Sequence, residues 1–246
     1  MQANRVEPNL RRVGLLGGSF DPIHPGHIAL GRSAAIALGL DEVRLIPTAR
    51  SWQKASVHAS AEQRLAMLKL ALENESLGPE TTPQWHIDPQ EVQRGPPTYT
   101  IDTLRALRQE NSQAMLCLIL GSDQFARLHT WHRYQELLND CHIAVTTRLP
   151  ILLHQLSGPA EQMMQEFGAS ALPNQPAGKI TQFRMQAIHL SSTQIRALLA
   201  GTESSKPEAD KSGPQRKLGL ELLHPLVAQY VEQHSLYLST TSPSTT

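Results

Sequence analysis

The chain has 246 residues, with 22 basic and 22 acidic side chains, so its formal net charge at neutral pH is zero. This balance provides no global field for attracting nucleic acid or an anionic membrane, and we expect neither as a partner. Hydrophobic residues make up 40% of the chain and the mean hydropathy is −0.30, which excludes a membrane-spanning protein and a wholly disordered one. Any phosphate site must therefore be local, built from backbone amides and a few side chains.

The cysteine content and the first residues indicate the cellular compartment. Cys117 and Cys141 are too few for a disulfide framework. Both lie in apolar runs, which favours small buried residues over redox or metal chemistry. The first twelve residues, MQANRVEPNLRR, lack the apolar segment of a secretion signal. We expect a cytoplasmic protein.

A strand, a helix and a second strand are predicted first along the chain. The apolar run Val13–Leu16 ends in a glycine pair at 17–18, which indicates a buried strand leading into a tight turn. Pro25 suits the first position of a helix, and Gly39 suits its end. A second strand follows at Val43–Ile46. The segment has the length of a β-α-β unit with parallel strands.

The same alternation continues through the chain. Ser60 and Gln63 have the spacing of a capping box, which predicts a helix that begins there. Further strands are predicted at 85–88, 115–120 and 143–146, and further helices at 100–108 and 225–233. This order predicts an α/β, Rossmann-like fold: a mostly parallel sheet with helices on both faces and a small C-terminal helical part. In such sheets ligands bind beyond the carboxyl ends of the strands.

The chain is predicted to form one folded domain, residues 12–238, with irregular segments around and within it. Residues 1–11 are predicted to be a flexible N-terminus. Residues 202–217, TESSKPEADKSGPQRK, are polar and lack periodicity, so we expect a mobile surface insertion. Residues 239–246, STTSPSTT, have nothing to bury and are expected to be a disordered tail.

The segment GGSFDPIHPGH, residues 17–27, is the strongest chemical motif. Its glycines let backbone N–H groups approach a ligand, and the helix that follows offers unpaired donors to an anion. His24 and His27 lie near one face of that helix start, where imidazoles can donate to phosphate oxygens. The segment is neither a P-loop nor a dinucleotide fingerprint. A metal pair is an alternative, although no third ligand stands nearby; a helix cap is another.

Three other segments carry candidate ligand contacts. Ser191–Arg196 places hydroxyls at a helix start with an arginine one turn further, which suits either phosphate binding or a simple cap beside a surface arginine. The turn 121–123 follows the clearest strand, and Asp123 could bind a nucleotide or cap the next helix. Trp131 lies in the polar stretch LHTWHRY, which favours ring stacking over a core position.

Residues 17–27 resemble the signature of the His-x-Gly-His nucleotidyltransferases, here His24-Pro25-Gly26-His27, and are most similar to bacterial nicotinate-nucleotide adenylyltransferases. Pantetheine-phosphate adenylyltransferases and cytidylyltransferases share the short signature. Five more segments resemble the nicotinate-nucleotide family in order and spacing: 60–72, 94–104, 120–138, 189–199 and 223–237. The chain departs from the family at 51–54, Ser-Trp-Gln-Lys, where Pro-Pro-His-Lys is common, at His132, where tyrosine is common, and in the insertion.

The resemblance implies adenylyl transfer from ATP to nicotinate mononucleotide, giving deamido-NAD and pyrophosphate in NAD biosynthesis. It implies Mg²⁺ as cofactor, held by the ATP phosphates without protein ligands, and it leaves the oligomeric state open. The implied catalytic residues are His24, His27 and Arg196. The implied ATP contacts are Gly17, Gly18, Ser19, Phe20, His24, His27, Lys54, Gly121, Asp123, Ser191, Ser192, Thr193 and Arg196. The implied mononucleotide contacts are Ser19, Tyr99, Thr100, Ile101, Trp131, His132 and Arg148.

Within the mononucleotide site, the family places its tryptophan against the nicotinate ring and gives the ring's carboxylate to backbone N–H groups, here around Ile101 and His132. Two alternatives stay open. One is an adenylyltransferase for another phosphomonoester, such as nicotinamide mononucleotide or phosphopantetheine, and the segments TWHRY and PTYTIDTL count against it. The other is a catalytically silent nucleotide sensor, which need not retain His24, His27, Lys54 and Arg196.

Overall fold

Short apolar runs form the six strands of one sheet in the computed structural model, which describes residues 10–49, 58–73, 83–147, 156–186, 188, 190–201 and 212–239. The strands are β1 (Arg12–Gly18), β2 (Glu42–Pro47), β3 (Gln84–Ile87), β4 (Met115–Gly121), β5 (His142–Thr147) and β6 (Ile180–Arg184). Neighbouring strands are parallel, in the order β3-β2-β1-β4-β5-β6. This is the strand order of a doubly wound sheet, and it confirms the predicted Rossmann-like class.

Helices cover both faces of the sheet. They are α1 (Pro25–Leu38), α2 (Ala61–Leu72), α3 (Gln90–Arg94), α4 (Thr100–Glu110), α5 (Ser122–Ala126), α6 (Leu137–Asp140), α7 (Pro159–Phe167), α8 (Ser192–Ala200), α9 (Ser212–Glu221) and α10 (Pro225–Gln233). One apolar core joins α1, α2 and the C-terminal helices α8–α10 to the sheet, and a second joins α4–α7 to its other face. Across the described ranges, no helix is long and apolar enough for a membrane crossing.

Local sequence signals explain where α1 and α2 begin and end. Pro25 occupies the first turn of α1, and Gly39 ends the helix in the left-handed conformation, with φ of 62°. Ser60 and Gln63 exchange hydrogen bonds between side chain and backbone at the start of α2, as predicted. Gly31 lets α1 approach the sheet closely, since a Cβ there would lie 2.7 Å from the ring of Trp85. These features place the start of α1 directly beyond the end of β1.

The structure contains elements that the sequence did not predict, and it corrects one boundary. α3, α6, α7 and the edge strand β6 are additional. β6 presents little apolar pattern, with Ile180, Thr181 and Phe183 buried. The predicted mobile insertion is wrong for residues 212–217, which lie in α9. The Arg216 guanidinium donates to the carbonyl of Leu199 at 3.0 Å and so anchors this helix to α8. Residues 202–211, 1–9 and 240–246 lie outside the described residues.

Both cysteines are buried and reduced, as predicted. Cys117 lies in β4 and Cys141 directly before β5. Burial in apolar surroundings raises the pKa of the Cys117 thiol to about 12 and raises that of Cys141 as well. Both thiols therefore stay protonated and pack as small apolar groups.

Candidate active site

A cavity of about 370 Å³ opens at the carboxyl ends of β1 and β4. These two strands are neighbours in the sheet, and the chain leaves them in opposite directions, toward β2 and β5. Such a reversal of strand order creates the crevice in which doubly wound sheets bind their ligands. The first turns of α1, α4 and α8 also line the cavity, so helix N-termini surround it. Their exposed N–H groups favour an anionic ligand.

His24 and His27 stand together at the start of α1, in the wall of this cavity. His24 caps the helix, because its Nδ1 accepts the backbone N–H of Gly26 at 3.1 Å. His27 Nδ1 in turn accepts the backbone N–H of His24 at 3.3 Å. Their ring centroids are 3.9 Å apart. Since each Nδ1 is an acceptor, the neutral imidazoles carry their protons on Nε2, where they can donate to a ligand.

Gly26 and Phe20 hold the two imidazoles in place. A Cβ at Gly26 would lie 2.9 Å from ring atoms of His24, so the glycine of the His-x-Gly-His motif makes room for the first histidine. Phe20 is fully buried and meets the ring of His27 edge-on, with the centroids 5.0 Å apart. The structure thus places Phe20, an implied ATP contact, in the core behind His27.

Most of the implied ATP contacts gather around the cavity. Those that line it are Gly17, Gly18, Ser19, His24, His27, Gly121, Asp123, Ser191, Ser192 and Thr193. Gly17 is notable because a Cβ built on it would meet no heavy atom within 4 Å, so its backbone faces open space. Lys54 lies outside the described residues. The arrangement combines backbone amides, hydroxyls and imidazoles, which are donors suited to phosphate oxygens.

The start of α8 lines the cavity and also forms hydrogen bonds with the loop before α1. Ser191 caps the helix by accepting the backbone N–H of Gln194 at 3.2 Å. The Ser192 hydroxyl donates to the carbonyl of Pro22 at 3.0 Å, and the Arg196 guanidinium donates to the carbonyl of Asp21 at 2.6 Å. The side chain of Arg196, an implied catalytic residue, therefore binds the loop, and Arg196 is not among the described residues that line the cavity.

Some implied mononucleotide contacts gather at the α4 side of the cavity. Thr100 and Trp131 line it, together with Ser19. The Trp131 indole nitrogen is buried and lacks a hydrogen-bond partner among the described residues. Ile101 has a fully buried side chain, but its backbone N–H belongs to the first turn of α4, where no intrahelical acceptor exists.

Other implied mononucleotide contacts lie beside the cavity or outside the described residues. The half-buried Tyr99 and the exposed His132 pack on each other, with ring centroids 4.3 Å apart. Neither side chain belongs to the described lining of the cavity. Arg148 lies outside the described residues.

Glu91 is a cavity residue that sequence reasoning missed. It is 5% exposed and accepts the Thr103 hydroxyl at 2.8 Å. Burial raises the pKa of this carboxyl, although hydrogen bonds from Thr103 and Thr98 oppose the shift. No local signal identifies it, because α3 is short and was not predicted.

Arg64 is the second residue that sequence reasoning missed. It is 1% exposed on the buried face of α2, and it donates to the carbonyl of Ser19 at 2.8 Å and to that of Ala49 at 3.2 Å. It thereby connects the loops that follow β1 and β2. Burial lowers the pKa of its guanidinium, which nonetheless stays cationic. The available signal was an arginine on the apolar stripe of α2, in line with Leu68 and Ala71.

The described residues contain no group of three or more His, Cys, Asp or Glu side chains arranged to hold a metal ion. The histidine pair thus finds no third protein ligand in that part of the chain. Asp123 brings one exposed carboxylate to the cavity, where it lies over Gly121. One carboxylate with phosphate oxygens and water is a donor set that Mg²⁺ accepts.

Sequence comparisons match this chain to known proteins along most of its length. The cytidylyltransferase-like family model matches residues 15–198. A probable nicotinate-nucleotide adenylyltransferase of Bordetella petrii is 38% identical over 228 residues, covering 93% of this chain and 100% of the relative. One of the same name from Aeromonas hydrophila is 39% identical over 232 residues, covering 92% of this chain and 96% of the relative.

Solved structures share the fold at lower identity. The nicotinic acid mononucleotide adenylyltransferase of Plasmodium falciparum, complexed with NaAD, superposes with a TM-score of 0.66 at 18% identity. The match covers 92% of this chain and 97% of that one. The same enzyme complexed with APC gives a TM-score of 0.62 at 17% identity. At these identities the likeness supports the doubly wound fold.

Proposed function

Since the chain belongs to the nicotinate-nucleotide adenylyltransferases, within the cytidylyltransferase-like family, we propose that it transfers the adenylyl group of ATP to nicotinate mononucleotide. The products are deamido-NAD and pyrophosphate. The observation that carries the proposal is the histidine pair: two imidazoles, each with Nδ1 held by a backbone N–H, at a helix N-terminus in the wall of the cavity. In that arrangement Nε2 is the proton-bearing nitrogen of each ring, and both rings line the cavity.

In this reaction the 5′-phosphate of the mononucleotide attacks the α-phosphorus of ATP, and pyrophosphate leaves from the opposite side. A phosphate monoester is already an adequate nucleophile, so the protein has mainly to align the reactants and stabilise charge. His24 and His27 would donate from Nε2 to the transferred and leaving phosphates. Backbone N–H groups at Gly17 and Gly18 and at the start of α8 would add further donors.

The α4 side of the cavity suits the pyridine nucleotide. Trp131 offers a half-buried aromatic face to a ring. The first N–H groups of α4, at Thr100 and Ile101, are suited to the carboxylate of nicotinate, because a helix N-terminus favours a negative charge. Nicotinamide carries no such charge, so this end of the cavity would distinguish the two mononucleotides.

Mg²⁺ fits the donor set of the cavity as a partner of the substrate. When bound, the ion would neutralise phosphate charge and polarise the reacting phosphoryl group. Asp123, the exposed carboxylate of the cavity lining, would hold such an ion directly or through water. The Thr193 hydroxyl and the first backbone N–H groups of α8 would hold phosphate oxygens beside it, since the Ser191 and Ser192 hydroxyls already donate to Gln194 and Pro22.

The test is pyrophosphate release from ATP with each of three acceptors: nicotinate mononucleotide, nicotinamide mononucleotide and phosphopantetheine. We expect the highest kcat/KM with nicotinate mononucleotide. Equal values for the two mononucleotides would refute carboxylate recognition at α4, and a preference for phosphopantetheine would refute the proposed acceptor. Binding of nucleotide without pyrophosphate release from any acceptor would identify a sensor.

A further inference from the structure

Asp21 lies in the middle of the loop between β1 and α1 and is 2% exposed. Its carboxylate accepts the backbone N–H groups of His58 at 2.8 Å and Ala59 at 3.1 Å, directly before α2. It also accepts the hydroxyl of Tyr237, beyond α10, at 2.8 Å. A buried carboxylate is tolerated when its oxygens are hydrogen-bonded, and here three donors from two distant segments satisfy it.

The backbone of the same loop is held from other directions. Arg64 of α2 binds the carbonyl of Ser19, and Arg196 of α8 binds that of Asp21. The Arg64 guanidinium also interacts electrostatically with the buried carboxylate of Asp21, so this carboxylate is not an isolated charge. In the loop that leads to His24, the Asp21 side chain and the carbonyls of Ser19 and Asp21 are thus all held by hydrogen bonds from other parts of the chain.

The chain around Tyr237 is bent to reach Asp21. Ser235 has φ of 49° and Tyr237 has φ of 59°, a region that side-chain-bearing residues seldom occupy. Tyr237 is 8% exposed, and burial together with Asp21 raises the pKa of its phenol, so the phenol remains a donor. Strained backbone persists where the surrounding contacts require it, and the bond to Asp21 is the polar contact of this side chain.

We propose that Tyr237 is a positioning residue for adenylyl transfer, which acts by holding Asp21 and thereby the loop that sets His24 and His27. The inference rests on the proposed function. Tyr237 is not part of the described cavity lining, so its influence on the reaction passes through the loop. A small displacement of the imidazoles is enough to slow a reaction that depends on alignment.

Tyr237→Phe removes the hydroxyl and keeps the ring. We expect kcat to fall roughly 10- to 100-fold, with KM for ATP and for nicotinate mononucleotide within about threefold of wild type. The matched control is Tyr230→Phe, the same change on α10, where the ring stacks on His234 at 3.9 Å and kcat should not change. In NMR spectra, the imidazole N–H signals of His24 and His27 should shift in Tyr237→Phe and stay in place in the control.

Equal kcat for the two tyrosine variants, both folded, would overturn the inference, as would a raised KM at unchanged kcat. If Tyr237→Phe does not fold, Asp21→Asn is measured instead, and a folded variant with wild-type kcat overturns the inference equally. Where both single variants fold, the double variant should be no slower than Asp21→Asn alone, because we infer that the Tyr237 hydroxyl acts only through Asp21. Losses that multiply in the double variant would contradict this. A wild-type protein that makes no deamido-NAD refutes the proposed function, separately from this comparison.

Discussion

Replacing His24 by asparagine separates two roles that we assign to one imidazole. Nδ1 caps α1 by accepting the N–H of Gly26 at 3.1 Å, and Nε2, on the far side of the ring, is the nitrogen to which we assign the donor role. Asparagine is among the best helix caps, and its side-chain oxygen lies near the position of Nδ1. It has no atom near the position of Nε2. We expect His24→Asn to keep the helix cap and lose the donor.

The expected effects on stability and on rate differ in size. Losing a cap altogether costs about 0.5–2 kcal/mol of folding free energy, so the asparagine variant should lose less than about 0.5 kcal/mol. Losing a fixed donor to a transition-state oxyanion costs roughly 10²–10³ in kcat, about 2.7–4 kcal/mol. His24→Gln should show the reverse order, because its longer amide reaches toward Nε2 but caps a helix poorly. Glutamine should therefore be the less stable and the more active of the two.

Urea unfolding followed by circular dichroism measures the first quantity, and single-turnover formation of deamido-NAD measures the second. Single-turnover rates are needed because product release could otherwise conceal a change in the chemical step. A folded His24→Asn protein that turns over near the wild-type rate would refute the donor role. If asparagine and glutamine variants lose equal stability, the capping role would be refuted instead.

Three other predictions follow from the walls of the cavity. Gly17→Ala should fold normally, because a Cβ there meets no heavy atom within 4 Å. The added methyl group should raise the KM for ATP roughly 10- to 100-fold, because it obstructs one backbone donor. An unchanged KM would contradict this. Trp131→Ala should weaken nicotinate mononucleotide binding roughly 5- to 150-fold, the value of one stacked ring, and leave ATP binding intact in calorimetric titrations. Glu91→Gln should raise Tm above wild type, by a difference that is small below pH 4.5 and grows as the pH rises through the folded-state pKa of Glu91. The reason is that burial raises the folded-state pKa of Glu91 above its ordinary 4.5. The contribution of Glu91 to wild-type stability is therefore full at low pH and is lost as the pH rises through the folded-state pKa. A Tm difference independent of pH would refute the argument.

The sequence predicts those parts of the site whose causes are local. The turn after β1, the start of α1 at Pro25 and its end at Gly39 follow from the conformational limits of glycine and proline. The position of the site follows as well, because a parallel sheet brings the ends of its strands to one edge. The family resemblance added the substrates, which no local pattern contains.

The rest depends on contacts between distant residues. Arg64 binds carbonyls 45 and 15 positions away, and the sequence shows only a charged residue on an apolar stripe. Arg196 lies one turn from Ser192 as predicted, but its guanidinium binds a carbonyl 175 positions away. Side chains as long as arginine can reach either the ligand or the loop from the same helix face, and local periodicity does not distinguish the two outcomes.

The bond between Asp21 and Tyr237 joins residues 216 positions apart in the chain. Closing so large a loop costs conformational entropy, as contacts between distant residues do in general. During synthesis the phenol that completes this loop leaves the ribosome 216 residues after Asp21. A partly synthesised chain can thus form β1 and α1 without this hydrogen bond. On this view, the loop before His24 gains its full set of hydrogen bonds only after Tyr237 has been synthesised.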